Sequence, residues 1–440
     1  MYRSIIFISI FTIAASAQAQ TPFRNLEDVW KYADEHNITI KTVKYEYEKS
    51  KYAKYQAYCT LLPQVNTTGS YTDNLSLQTT LVPSSLTGGT SGGYKTLQFG
   101  QQFVYAGGLN AQMNVLNLQN CFNAKLAMQT EAMNKDSLAG AKKTVYQALA
   151  NQFYSYLLLR EAMRLTEASM LSADSTFQSV KEKFNAGTAN KANLDVAELN
   201  FKQLSQNFSN AGYQVKISVN NLKSLLGMAE KDTLEIDASL SQSINADVNV
   251  QTWGEDPSVN LAYWRTKLTK TQYNVANMAF LPTINIVYNY NTTRSDKTFE
   301  PFTGMEGTAA FFPSKFWALQ ASFPLFNSGN RVFQSKKQWL NYKESVEQFE
   351  SIKKTSALAD ANIILNFNKT REALNLGKEM LALSTDNYSH VCNRYNEGLA
   401  SLDDKLTAFR DFINAQNQYL NNMSDYLVQL YQYKIRQYKF

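Results

Sequence analysis

The chain has 440 residues, with 43 Lys plus Arg against 37 Asp plus Glu, and its net charge of +6 is too diffuse for a nucleic-acid-binding surface. Only 18% of residues are charged while 13% are aromatic, which excludes a disordered or polyelectrolyte chain. Two histidines (His36, His390) and three cysteines (Cys59, Cys121, Cys392) fall in no metal-site or redox spacing.

The first nineteen residues carry one cation at Arg3, an apolar stretch from Ile5 to Ala15, and two overlapping small-residue sites ending at Ala17 and Ala19. This is a secretory signal peptide, with cleavage expected after Ala19. It is too short for a spanning helix, and no later window is apolar enough. The odd cysteine number leaves at least one thiol unpaired.

Residues 26–62 have helical character, with Asn25 as a cap, an aromatic stripe at Tyr45, Tyr52 and Tyr55, and Pro63 as the stop. The period then changes to two. Val65, Thr67, Gly69 and Tyr71 alternate with Gln64, Asn66, Thr68 and Ser70. A returning strand places Leu97, Phe99, Phe103 and Tyr105 on one face, giving a hairpin over 64–105. Between the strands, residues 73–93 are rich in Gly, Ser and Thr and read as a solvated loop. Gly88-Gly89 and Gly92-Gly93 within it form a loop tip, since no Walker or dinucleotide glycine motif occurs. No cofactor, metal centre or enzymatic activity is expected.

From Asn110 to Asn185 no proline occurs, which predicts a helix of about 110 Å, and residues 330–396 predict another of about 100 Å. Met163, Met170, Phe177 and Phe184 repeat every seven residues. So do Leu194, Phe201, Phe208, Val215 and Leu222, and in the second half Leu374, Leu381, Tyr388 and Tyr395, then Phe412, Tyr419, Tyr426 and Tyr433. These are the seams of antiparallel coiled-coil hairpins, over 109–226 and 330–436.

The chain repeats itself. Leu62-Pro63 returns as Leu281-Pro282, the strand-to-helix turn expected at Gly107-Gly108 as one at Ser328-Gly329, and Lys183-Phe184-Asn185-Ala186-Gly187 as Arg394-Tyr395-Asn396-Glu397-Gly398, at offsets of 219, 221 and 211. Repeat 1 covers 20–227, a linker 228–257, and repeat 2 258–440. The second hairpin, 283–326, shows Ile284, Ile286, Tyr288 and Tyr290 alternating with Asn285, Asn289 and Asn291, and returns through Trp317, Leu319, Phe323 and Leu325. The candidate lipid-facing residues are Val65, Thr67, Tyr71, Leu97, Phe99, Phe103, Ile284, Ile286, Tyr288, Trp317 and Leu319. Four strands cannot close a barrel, and an open edge in lipid leaves backbone groups unpaired. Three chains pooling their strands give twelve.

With that duplicated order, the sequence resembles the TolC family of outer-membrane efflux proteins over essentially the whole mature chain. The resemblance implies an α+β membrane protein: a homotrimer with a twelve-stranded outer-membrane β-barrel on a periplasmic α-barrel of long antiparallel coiled-coil helices. It also implies an exit channel of a tripartite efflux or type I secretion system. Its partners are then outer-membrane lipid, a periplasmic adaptor, and an inner-membrane pump of RND, ABC or MFS type. Gly187 and Gly398 would mark the tip turns. Tyr395 and Asp404 match family tip positions, Asn193 stands where the family often has Asp, and Ala400 where some members carry Arg. Arg394 and Lys191 are candidates to replace that Arg at the aperture. Asp403 and Asp404 are read both as an acidic ring and as caps of the following helix. The alternative reading is an exported surface coiled-coil adhesin.

Overall fold

A computed structural model describes residues 23–88, 92–240, 253–299 and 311–438; the expected signal peptide lies outside them. In chain order the elements are α1 (Leu26–His36), α2 (Ile38–Cys59), β1 (Gln64–Asp73), β2 (Thr79–Pro83), β3 (Tyr94–Gln98), β4 (Phe103–Leu116), α3 (Leu118–Asn185) and α4 (Lys191–Leu226). Then follow α5 (Pro257–Met278), β5 (Thr283–Asp296), β6 (Phe312–Ser322), α6 (Asn330–Asn396) and α7 (Leu402–Gln437). The chain divides into two compact units, one of Glu46–Asp136 and Val259–Ile352, the other of Met1–Tyr45, Ser137–Ser258 and Lys353–Phe440.

The first unit holds an antiparallel sheet in the order β1-β4-β5-β6. β1 with β4, and β5 with β6, are the two expected hairpin pairs, and β4 joins them by pairing with β5. The expected boundaries need correction. Residues 110–116 are strand, not helix, so Gly107-Gly108 is no strand-to-helix turn. Both glycines lie inside β4, opposite Thr292 and Asn291. A Cβ at Gly108 would stand 2.4 Å from the Tyr290 carbonyl oxygen, so glycine here allows two backbones to approach closely. The helix starts at Leu118 because the Asn117 side chain accepts from the Asn120 amide at 3.2 Å. In the second repeat the turn stands where expected, with Ser328 and Gly329 both at positive φ.

Leu97 and Phe99 also need correction. Leu97 lies in β3, which forms a separate two-stranded ladder with β2, and Phe99 follows that strand. The Ser/Thr-rich segment thus folds back on itself, closed at its base by the Phe99 amide donating to Gln78 O. Phe323 and Leu325 lie beyond the end of β6. The unit's helices meet through polar contacts as well as buried apolar side chains such as Ala124 and Leu268. Thr271 donates to Gln129 at 2.8 Å, Trp264 Nε1 to Asp136 at 2.8 Å, and Lys54 pairs with Glu131 at 2.7 Å.

The second unit is a bundle around Trp30, Leu149, Phe153, Tyr154, Leu222, Leu427 and Leu430, all nearly inaccessible. Trp30 stacks on Tyr146 at 4.7 Å and donates to its carbonyl. The helix expected over 26–62 breaks at Asn37. Its side chain accepts from the Ile40 amide, capping α2, and donates to Leu225 O at the end of α4. Gly227 closes α4 at φ +71, where a Cβ would meet His36 O at 2.7 Å, so both conformation and space require glycine. α6 and α7 approach closely at Gly377, beside Asn422, whose amide donates to Ala373 O at 2.8 Å. Near the end of α7, Arg436 holds Asp360 through two bonds of 2.7 and 2.8 Å and donates to Gly254 O. Asp256 lies beside it, 3.8 Å away, and pairs with Lys143.

Candidate channel wall and helical tips

Side chains alternate faces along a strand, so directly paired residues share a face. The strand register sorts the sheet in two. One face carries Val65, Thr67 and Tyr71 of β1, Phe103 and Leu109 of β4, Ile286, Tyr288 and Tyr290 of β5, and Trp317 and Leu319 of β6. Ile284 lies on it beyond a register shift at Asn114 and Leu116. Trp317 is 74% exposed and Leu319 61%. Arg294 and Asp296 form an ion pair on this face at one end of β5, and Lys315 stands opposite Tyr290. The register brings together every candidate lipid-facing residue except Leu97 and Phe99.

The opposite face carries Gln64, Asn66, Thr68 and Ser70, then Asn110 and Gln112, then Asn285, Asn289 and Asn291, with Ser314 and Gln320. No ionisable side chain falls on it within the four strands. β1 and β6 are the edges, each with one flank unpaired in the single chain. Among the described residues no helix is long and apolar enough to cross a membrane. The strands' 10 to 14 residues meet the ~9–11 that a tilted transmembrane strand needs.

In the other unit, the two tip turns share one geometry. Gly187 and Gly398 sit at φ +77 and +76. Each amide donates to the carbonyl three residues back, Phe184 and Tyr395, and the next amide to Lys183 or Arg394. This is the glycine-ended helix stop. Asn190 then caps α4 by accepting from the Asn193 amide at 2.8 Å.

α7 opens with a reciprocal cap: Ser401 Oγ accepts from the Asp404 amide, and Asp404 Oδ2 accepts from the Ser401 amide and hydroxyl. These Ser401 bonds, and then the Arg394 charge, hold the Asp404 carboxyl below the ordinary range. Asp403 is exposed and takes no part in this cap.

Tyr395 packs on the cluster of Val180, Ala197 and Leu402, which joins the two hairpin ends. Lys183 and Lys405 lie over its ring at 4.8 and 5.0 Å. Lys191 is engaged with Asp195 at 2.6 Å, and Arg394 donates to Leu399 O at 3.3 Å. Sequence reasoning missed Lys183, Lys405 and Ser401. The Ser-x-x-Asp spacing signals the cap, but nothing in the sequence pairs the lysines with Tyr395. Among the described residues no group of three or more His, Cys, Asp or Glu side chains is placed to hold a metal, and Cys59, Cys121 and Cys392 are free thiols.

The chain thus combines an open sheet, one face largely apolar and the other without ionisable side chains, with helices of 68 and 67 residues. The chain belongs to the outer membrane efflux protein family, whose model matches residues 32–228 and 250–432. The outer membrane channel CmeC of Campylobacter jejuni is similar in structure, with TM-score 0.75 at 15% identity over 99% of this chain and 93% of that one. VceC, an outer membrane protein of Vibrio cholerae, gives 0.72 at 14% identity over 94% of each chain. The open state of the MtrE outer membrane channel of Neisseria gonorrhoeae gives 0.72 at 17% identity, over 94% of this chain and 88% of that one. No curated protein matches the chain by sequence. The family is one of efflux channels rather than enzymes.

Proposed function

We propose that this chain is the outer-membrane exit duct of a tripartite efflux or type I secretion system. Three copies pair β1 of one with β6 of the next and close a twelve-stranded barrel. The apolar face meets outer-membrane lipid and the polar face lines a water-filled lumen. The helices form a periplasmic conduit that receives cargo from an adaptor and an inner-membrane pump of RND, ABC or MFS type, which supply the energy.

The observation that carries this reading is the open four-stranded sheet with its sorted faces. Each unpaired backbone group in hydrocarbon costs several kcal/mol, so the two edges must find partners, and identical chains offer them. The exposed apolar positions on the helices agree. Tyr45 and Tyr52 on α2, and Leu358 and Leu365 on α6, lie seven apart and are 64 to 72% exposed, seam positions left largely uncovered by the described residues. At the tips, Tyr395, Arg394, Asn193, Lys191, Asp403 and Asp404 would border the periplasmic aperture, with Gly187 and Gly398 setting its turns.

The test is reconstitution. Purified protein inserted in a planar bilayer should give stable ionic conductance, and a periplasmic adaptor should co-purify from membranes. A surface adhesin would give neither.

A further inference from the structure

The lumen face of the sheet has a second property besides lacking charge. Two aromatic side chains interrupt its polar surface, both on β6. Phe316 stands in register with Asn289, which stands opposite Asn110, itself opposite Asn66. One row across all four strands therefore reads amide, amide, amide, ring. Phe312 pairs with Thr293 on the same face. Phe316 is 53% exposed and Phe312 69%, so each ring keeps more than half of its surface uncovered in the single chain. Four residues apart on one strand, the rings are separated by about 14 Å. Asn285, also on this face, has a shielded Oδ1 with no hydrogen-bond partner among the described residues.

From this arrangement we infer that the barrel wall carries a contact track for neutral polyhydroxylated chains, with Phe312 and Phe316 as platforms and Asn289, Asn291 and Asn110 as hydrogen-bonding flanks. The inference rests on the channel reading above. An aromatic ring offers its face to the C–H side of a sugar ring, and neighbouring amides both donate to and accept from hydroxyls. A charged wall would sort cargo by sign through its field; this wall cannot, and selects by shape and hydrogen bonding instead. Three copies place three such tracks around the lumen.

The experiment uses the full-length protein in planar bilayers, with linear maltoheptaose added on the barrel side. Wild-type pores should show concentration-dependent transient blockades. Phe316→Ala should shorten their residence about fivefold and the double variant with Phe312→Ala further, with open-pore conductance near wild type. Phe316→Leu keeps apolar bulk but not the ring face and should behave as the alanine variant; Phe316→Tyr should retain the blockades. Conducting wild-type pores without blockades, or blockades equally long in the leucine variant, overturn the inference while leaving the channel intact. A chain that forms no pore at all overturns the channel reading and this inference with it.

Discussion

Asp404 and Ser401 cap one another: the carboxylate takes the Ser401 amide at 2.9 Å and its hydroxyl at 2.7 Å, while Ser401 Oγ accepts from the Asp404 amide at 3.1 Å. The cap fixes where α7 begins, one turn from the Tyr395 cluster. Because the folded carboxyl is held below its ordinary value, its stabilisation is complete above the unfolded carboxylate range. It is lost as pH falls through the folded value. Asp404→Asn should therefore weaken the tip at neutral pH and make little difference in acid. Limited proteolysis of the 396–402 turn at pH 7 and pH 3 checks this.

Asp404 and its neighbour Asp403 are also the residues of the proposed acidic ring. Asp403 is exposed and free of the cap, so its charge can face an aperture. Neutralising both, as Asp403→Asn with Asp404→Asn, should reduce cation preference in a salt-gradient reversal potential. An unchanged potential removes the acidic ring and leaves only the cap.

Gly108 and Gly107 differ although adjacent. A methyl at Gly108 collides with backbone at 2.4 Å, while at Gly107 the nearest heavy atom is 3.8 Å away. Gly108→Ala should disrupt β4–β5 pairing and lower the yield of detergent-resistant oligomer; Gly107→Ala should assemble normally. Heat-modifiability on denaturing gels reads the difference.

Much of the fold was legible in the sequence, and the failures have physical causes. Absence of proline and seven-residue spacing announced α3 and α6, and period-two alternation announced β1 and β5. Gly187 and Gly398 read correctly as turns because left-handed backbone needs glycine. Gly107-Gly108 misled because glycine serves two purposes, a turn or a close approach, and only the partner strand reveals which. Residues 110–116 lie between clear strand and clear helix in pattern, and only pairing with Met113 opposite Ile286 decides. The break at Asn37 depends on Leu225, 188 residues away, and the lysines beside Tyr395 come from different helices. Long-range partners of this kind leave no local trace.

Arg436 is 7% exposed at its side chain and faces Asp360 and Asp256. Burial opposes the Asp256 charge, but Lys143 and Ser258 outweigh it and hold its carboxyl below the ordinary range. Arg436→Met should strand the Asp360 carboxylate and cost about 3 kcal/mol, while Asp256 keeps its Lys143 partner. Because Asp256 keeps Lys143 and Ser258 in the variant, the stability its depressed carboxyl contributes should be lost in both proteins alike as pH falls through its folded value. Thermal unfolding of wild type and variant from pH 7 to pH 3 measures it.

The claim on which the account depends is that each chain leaves its sheet open for identical neighbours to close. Disulfide trapping tests it most directly, in a background with Cys59, Cys121 and Cys392 changed to serine. One cysteine is placed on β1 (Asn66→Cys, Thr68→Cys or Ser70→Cys) and one on β6 (Ser314→Cys or Ala318→Cys). Oxidation in membranes should produce covalent dimers and trimers for the registered pairs, while either single variant stays monomeric on denaturing gels. Monomer alone for every combination, from protein that is folded and membrane-embedded, contradicts the account.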